Sequence, residues 1–160
     1  MPIPAGYVSG QVVQAVPSLA GKILQVVSVQ SSTAVNTTST SFVTSGLAAT
    51  ITPSSTASKI LIFATTPYRL SGNSNTAQFT LFRGTVAGTN LGQGAGAGFG
   101  IVYNLGGEFF GTYGTHYLDS PSTISATTYT LGMKVGAATL TLSSQRNDDT
   151  GVITLMEISA

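Results

Sequence analysis

The sequence predicts an all-β protein, an antiparallel β-sandwich of jelly-roll type with an extended N-terminal arm. Three observations carry this expectation. Short runs rich in β-branched and aromatic residues recur along the chain, each bracketed by Gly, Pro, Asn or Ser. No long window repeats apolar residues at i, i+3, i+4 and i+7, and Lys, Glu and Gln, the usual fillers of helix surfaces, are scarce. Apolar residues nonetheless make up 42% of the chain, with a mean hydropathy of +0.31, so there is material for a core. Strands without helices to cover them must face each other in two sheets or close into a barrel.

Residues 1–21 read as the arm. Pro2, Pro4 and Pro17, with Gly6, Gly10 and Gly21, interrupt any period, leaving one short strand expected at Gln11–Val16. The apolar residues Ile3, Tyr7, Val8 and Val12 suit an arm that docks on another protein. Residues 22–160 form the expected sandwich domain. Its strands are read at Lys22–Gln30, Phe42–Ile51, Lys59–Thr66, Gln78–Arg83, Tyr129–Val135, Ala138–Ser143 and Val152–Ile158. With weaker candidates the expected total is about eight to ten. Pro67 is taken as the stop of the third run.

Two glycine-rich segments lie between the strands. In residues 91–100 a glycine falls at every second position, from Gly92 to Gly100, which fits either a surface loop or a close approach to a neighbouring chain. Tyr103 to Tyr117 reads as an aromatic loop at one end of the sandwich. With Phe99 it gathers Tyr103, Phe109, Phe110, Tyr113 and Tyr117 as candidates for an interface or a receptor-binding face.

Charge narrows the function. Charged residues are 7% of the chain, against about 25% in an ordinary domain. Six Lys and Arg against five Asp and Glu give a net charge of +1, too little for binding a phosphate backbone, so no nucleic-acid partner is expected. Ser and Thr number 43 of 160 residues. A free monomer so poor in charge is short of solubilising surface, which points to a chain that works inside an assembly. Residues 1–7 lack a basic stretch followed by an apolar core, and the longest apolar run, Ile60 to Ala64, is far too short for a membrane helix. A protein made in the cytoplasm, without a membrane partner, is the expectation.

Little catalytic chemistry is available. There is no cysteine and one histidine, His116, which excludes thiol catalysis and multi-histidine metal sites. The carboxylates are Glu108, Asp119, Asp148, Asp149 and Glu157. Asp148 and Asp149 sit in a string that reads as a hairpin turn. Glu157, between Met156 and Ile158, alternates to the side opposite them and is expected to be exposed. A nucleophilic triad would have to combine His116, Asp119 and a serine, and no Gly-x-Ser-x-Gly elbow occurs. A non-enzyme without cofactor or metal is expected.

Three strings carry a resemblance. Thr50-Ile51-Thr52-Pro53-Ser54-Ser55-Thr56-Ala57-Ser58-Lys59-Ile60-Leu61-Ile62 is one. Tyr117-Leu118-Asp119-Ser120-Pro121, followed by Ser125-Ala126-Thr127-Thr128-Tyr129-Thr130-Leu131, is the second, and Ile153-Thr154-Leu155-Met156-Glu157-Ile158 is the third. In order and spacing the chain from about residue 22 to 158 resembles small β-rich virion proteins of tailed bacteriophages, especially phages of aquatic bacteria and cyanobacteria. The resemblance implies a jelly-roll-like sandwich, a homotrimer and a place in the virion. In that group the module occurs as a capsid decoration or cement protein bound to the major capsid protein, or as the knob of a tail fibre that touches the host surface. The absence of a fibre shaft or coiled-coil heptads in these 160 residues favours decoration of the capsid exterior, after assembly in the host cytoplasm. A host-surface glycan is a further partner implied by the fibre alternative.

Overall fold

The computed structural model describes residues 20–72, 74–92 and 98–160. The expected strand at Gln11–Val16, the arm residues Ile3, Tyr7, Val8 and Val12, and residues 93–97 of the glycine run lie outside the described residues. Among those described there are eleven strands: β1 (Ile23–Ser31), β2 (Val35–Thr37), β3 (Val43–Ile51), β4 (Lys59–Gly72), β5 (Asn75–Arg83), β6 (Thr89–Asn90), β7 (Gly100–Asn104), β8 (Gly107–Asp119), β9 (Thr127–Val135), β10 (Leu140–Ser144) and β11 (Gly151–Ile158). One 3-10 turn, Arg146–Asp148, is the only helical element among them.

The strands form two antiparallel sheets packed face to face. In the first, β4 pairs with β8 over its whole length on one edge. Its other edge pairs with β11 over Lys59–Thr65 and with β10 over Tyr68–Gly72. β1 lies outside β11, and β2 outside β10. The second sheet runs β3-β9-β5, with β7 and β6 sharing the far edge of β5. The main connections from β3 to β4, β4 to β5, β7 to β8 and β8 to β9 each cross between sheets.

Three expectations are corrected. Residues 103–117 are not one loop: Tyr103 and Asn104 end β7 in the second sheet, and Gly107 to Tyr117 belong to β8, a thirteen-residue strand of the first. Glycine there marks close approach rather than a loop. A Cβ on Gly100 would lie 2.5 Å from the Tyr113 ring, and one on Gly111 would lie 2.7 Å from the Tyr68 hydroxyl. Pro67 does not end β4. It falls where the flanking partner changes from β11 to β10, a point where its missing N–H disrupts no ladder. Finally, Arg146 to Thr150 is not a hairpin turn, because β10 and β11 do not pair with each other. They run in line along β4, and the segment between them bulges outward. Gln145 anchors this bulge: its buried side chain donates to Thr66 Oγ1 at 2.6 Å and its N–H to the Pro67 carbonyl at 3.1 Å.

Inward positions build two apolar clusters. Leu47, Ile51, Ile60, Ile62, Leu81, Tyr129, Leu131 and Leu155 belong to one, and Tyr68, Leu70, Phe79, Met133, Leu140 and Leu142 to the other. Tyr113 packs against both. Its ring stacks on Phe79 with centroids 4.4 Å apart, and Tyr68 meets the same Phe79 at 5.4 Å. Aromatic side chains of β4, β5 and β8 thereby lock the two sheets together.

Inward Phe79 of β5 and outward Phe110 of β8 give a test. Phe79→Ala empties a fully buried site and should lower unfolding free energy by about 3–5 kcal/mol in urea titration. Phe110→Ala, on the outward side, should change it by no more than about 0.5 kcal/mol.

Candidate functional site

The six aromatic candidates do not share a face. On β8, Tyr113 and Tyr117 point inward, Tyr117 meeting Phe99 at 5.4 Å, while Phe109 leans on Tyr68 at 6.1 Å. Phe110 points outward from the first sheet, 57% exposed. Tyr103 is exposed on β7 in the other sheet, beside a similarly exposed Ile101.

Two of the five carboxylates are buried, in one cross-strand row. Glu157 and Asp119 both register with Ile60, one on each side of β4, so their backbones are two strand spacings apart, about 10 Å. Asp119 ties the first sheet to the second, and Glu157 ties it to the β3–β4 connection. Asp119 receives Arg83 in a bidentate grip, Nε at 2.7 Å and Nη2 at 2.5 Å, and the Tyr129 hydroxyl at 2.7 Å. Arg83 and Tyr129 are themselves neighbours across β5 and β9. Burial first, then the bond to Asp119, raises the Tyr129 phenol well above its ordinary range.

The expected exposure of Glu157 is overturned. Ile153, Leu155 and Glu157 form the inward face of β11, and Met156 and Ile158 point outward, so the alternation holds with its sides reversed. Glu157 accepts from the Ser54 N–H at 2.7 Å, the Ser54 hydroxyl at 2.6 Å and the Gln25 amide at 2.6 Å. Gln25 also donates to the Thr52 carbonyl at 2.7 Å. Burial by itself would push the carboxyl up, but the hydrogen bonds from Ser54 and Gln25 outweigh it and hold it at about 2. Three donors compensate the buried charge, the condition under which a carboxylate is retained inside.

The remaining groups are dispersed. His116 lies on the outer face of β8 beside Phe63, whereas Asp119, three residues on, faces inward, so they form no relay. Glu108 is exposed and paired with Arg69. Among the described residues no three of His, Asp or Glu come together.

The outer face of the first sheet carries two features. Near the chain ends of β1 and β11 it is apolar. Val26, Met156, Leu61 and Leu118 stand opposite one another in a single row across four strands. The next row reads Ser28, Thr154, Phe63 and His116. Val26, Leu118 and Phe63 are 54%, 46% and 43% exposed, and Leu24 extends the patch. Sequence reasoning missed this row, although its signal was present: in Ile60-Leu61-Ile62-Phe63 both faces of the strand are apolar, the pattern of a strand covered on both sides. Where β4 changes partner, the same face holds an open groove of about 520 Å³ lined by Pro67, Tyr68, Phe110, Gly111, Thr112, Asp149 and Thr150. A second groove, of about 370 Å³, lies on the other sheet around Phe42, Phe82 and Lys134, the ammonium of Lys134 standing 4.7 Å from the centre of the Phe42 ring.

Compared with known proteins, the chain matches no family model and no curated sequence.

The state of Glu157 predicts a pH dependence. Its folded pKa lies below the ordinary 4.5, so its contribution is present above about 4.5 and is lost as the pH falls toward 2. Glu157→Gln removes the charge and sets an NH2 donor against either Ser54 or Gln25, and should cost about 1–3 kcal/mol at pH 7. In urea titrations from pH 7 to pH 2, the gap between the two proteins should narrow below pH 4.5. A gap that stays constant to pH 2 would count against the assigned ionisation.

Proposed function

We propose that the protein is a structural component of a tailed-phage virion: a jelly-roll homotrimer that decorates the capsid exterior, binds the major capsid protein and bridges capsomers. No catalytic step, cofactor or metal belongs to this reading. The observation that carries it is the apolar row Val26, Met156, Leu61 and Leu118 with Phe63 and Leu24. Contiguous exposed apolar surface on a chain with 7% charged residues is the mark of a subunit that is covered in use. A shell lattice then multiplies modest contacts into persistent attachment.

Further support comes from the strand orders β1-β11-β4-β8 and β3-β9-β5-β7, which match a jelly roll. The strings that resemble phage virion proteins contain Ser54, Asp119, Tyr129 and Glu157. They are thus the segments that close one end of the sandwich, and they also contain Leu61, Leu118 and Met156 of the apolar row. The arm residues Ile3, Tyr7, Val8 and Val12 serve in this reading as an additional anchor on the shell. A second reading, a receptor-binding fibre tip, is favoured by the exposed Phe110 groove.

Light scattering coupled to size exclusion should give about three times 16.3 kDa. Leu118→Glu, placed in the apolar row, should release monomers with an unchanged far-ultraviolet spectrum. A wild-type monomer at micromolar concentration would remove the assembly argument. Quantitative mass spectrometry of purified particles separates the two readings: hundreds of copies mean decoration, a few dozen mean a fibre tip. Deleting residues 1–19 should leave the sandwich folded and weaken retention on heads.

A further inference from the structure

We infer that His116 makes the contact between copies of this chain pH-sensitive: the copies hold together while its imidazole is neutral and separate as it takes up a proton. The inference rests on the proposed role of the apolar row as that contact. His116 stands on the outer face of β8, in the row next to Val26, Met156, Leu61 and Leu118. Leu118 follows two residues on along the same strand, about 7 Å away. Phe63 is the cross-strand partner of His116 on β4, with ring centroids 6.1 Å apart. Leu118 and Phe63 are 46% and 43% exposed, so a subunit seated on both also covers the imidazole beside them.

A protonated imidazole at that position meets no counter-charge. Among the described residues β8 pairs with β4 alone, and β11 and β1 lie beyond it. On the outer face of these strands the charged side chains are Lys59, Arg69 and Glu108, with Lys22 just ahead of β1. Arg69 and Glu108 are paired with each other, and Glu108 is eight residues from His116 along β8, roughly 27 Å. Lys59 is four residues from Phe63 along β4, roughly 13 Å, and both lysines carry the same sign as an imidazolium. The bulge holds Arg146, Asp148 and Asp149, and Asp149 borders a groove with Thr112, four residues from His116, again roughly 13 Å. Asp119, Glu157, Tyr113 and Tyr117 face inward. Charges at such separations are largely screened beyond about 8 Å in 0.15 M salt. The hydroxyls in the same row, on Ser28 and Thr154, bond each other at 3.0 Å. Assembly would therefore strip water from an imidazolium and give it no carboxylate in return, the Phe63 ring being a weak substitute. A homotrimer repeats that penalty three times. His116 is the only histidine of the chain, and imidazole is the side chain whose ordinary charge change, near pH 6.5, falls between pH 5 and 8. The separated chain binds the proton and the assembled chain excludes it, so assembly is favoured above about pH 6.5 and is progressively lost below it.

Size exclusion coupled to light scattering, on a dilution series of the full chain at pH 8 and at pH 5, tests the inference. Both values lie well above the pKa of about 2 of Glu157, so the buried acid that closes the sandwich stays ionised throughout. The wild-type trimer should require at least about tenfold higher concentration to persist at pH 5 than at pH 8. His116→Gln, neutral at both values, should abolish that difference. It retains the amine of Met1, which titrates in the same window, so a response belonging to the amine would survive the substitution. His116→Lys, charged at both values, should be displaced toward monomer already at pH 8. Circular dichroism establishes that each protein is folded at each pH. A trimer equally stable at pH 8 and pH 5 would overturn the inference and leave the assembly reading in place. So would a pH response that persists in His116→Gln, or a His116→Lys trimer as stable as the wild type at pH 8. A wild-type monomer at pH 8 would remove the assembly reading and the inference together.

Discussion

Strand β4 has backbone partners on both edges over nearly all of its fourteen residues, and the placement of half the molecule follows from that pairing. An ordinary strand of five or six residues would accommodate one neighbour per edge. A strand more than twice that length takes β8 along one side and two shorter strands, β11 and β10, along the other. Wherever two partners meet end to end, the ladder must break and the connection must leave the sheet. Thr66–Pro67 is that break, and Gln145 fills it from inside. The groove, the bulge carrying Asp149 and the in-line arrangement of the last two strands share this one cause.

The second organising feature is charge. With five carboxylates in the chain, burying two is a large commitment, and an unpaired buried charge would be strongly destabilising. Both are matched by convergent donors, and both lie in the row through Ile60. Asp119 reaches Arg83 and Tyr129 in the facing sheet, and Glu157 reaches the β3–β4 connection at Ser54. That end of the sandwich is therefore closed by directional bonds, while apolar packing around Phe79 and Tyr113 fixes the middle. Directional closure specifies which strands meet, a task that nonspecific apolar contact performs poorly in a core made of many similar residues.

The outer face of the first sheet is divided accordingly. Its lower rows are apolar and suit burial against another subunit, and its upper part opens into the Phe110 groove. The two features are separated along β8. Few charges are left over for this surface, so its recognition properties depend on aromatic rings, hydroxyls and the two acids of the bulge.

The class of the protein was legible in the sequence: short β-branched runs without helical periodicity become stacked sheets or a closed barrel, and most strand positions followed from composition and bracketing turn residues. The low charge was legible in the same way. What the sequence left open was the choice of face. Alternation in Met156-Glu157-Ile158 is plain, yet which side faces inward depends on Ser54, Gln25 and the neighbouring strands, all remote in the chain. The Tyr103–Tyr117 segment was hidden for a related reason: Gly111 within it and Gly100 just before it are set by Tyr68 and Tyr113 pressing against the backbone, a requirement that exists only once β4, β7 and β8 are brought together. Local pattern encodes strand and period, whereas partners tens of residues away decide burial, because a carboxylate or an aromatic ring goes where its donors and its neighbours are.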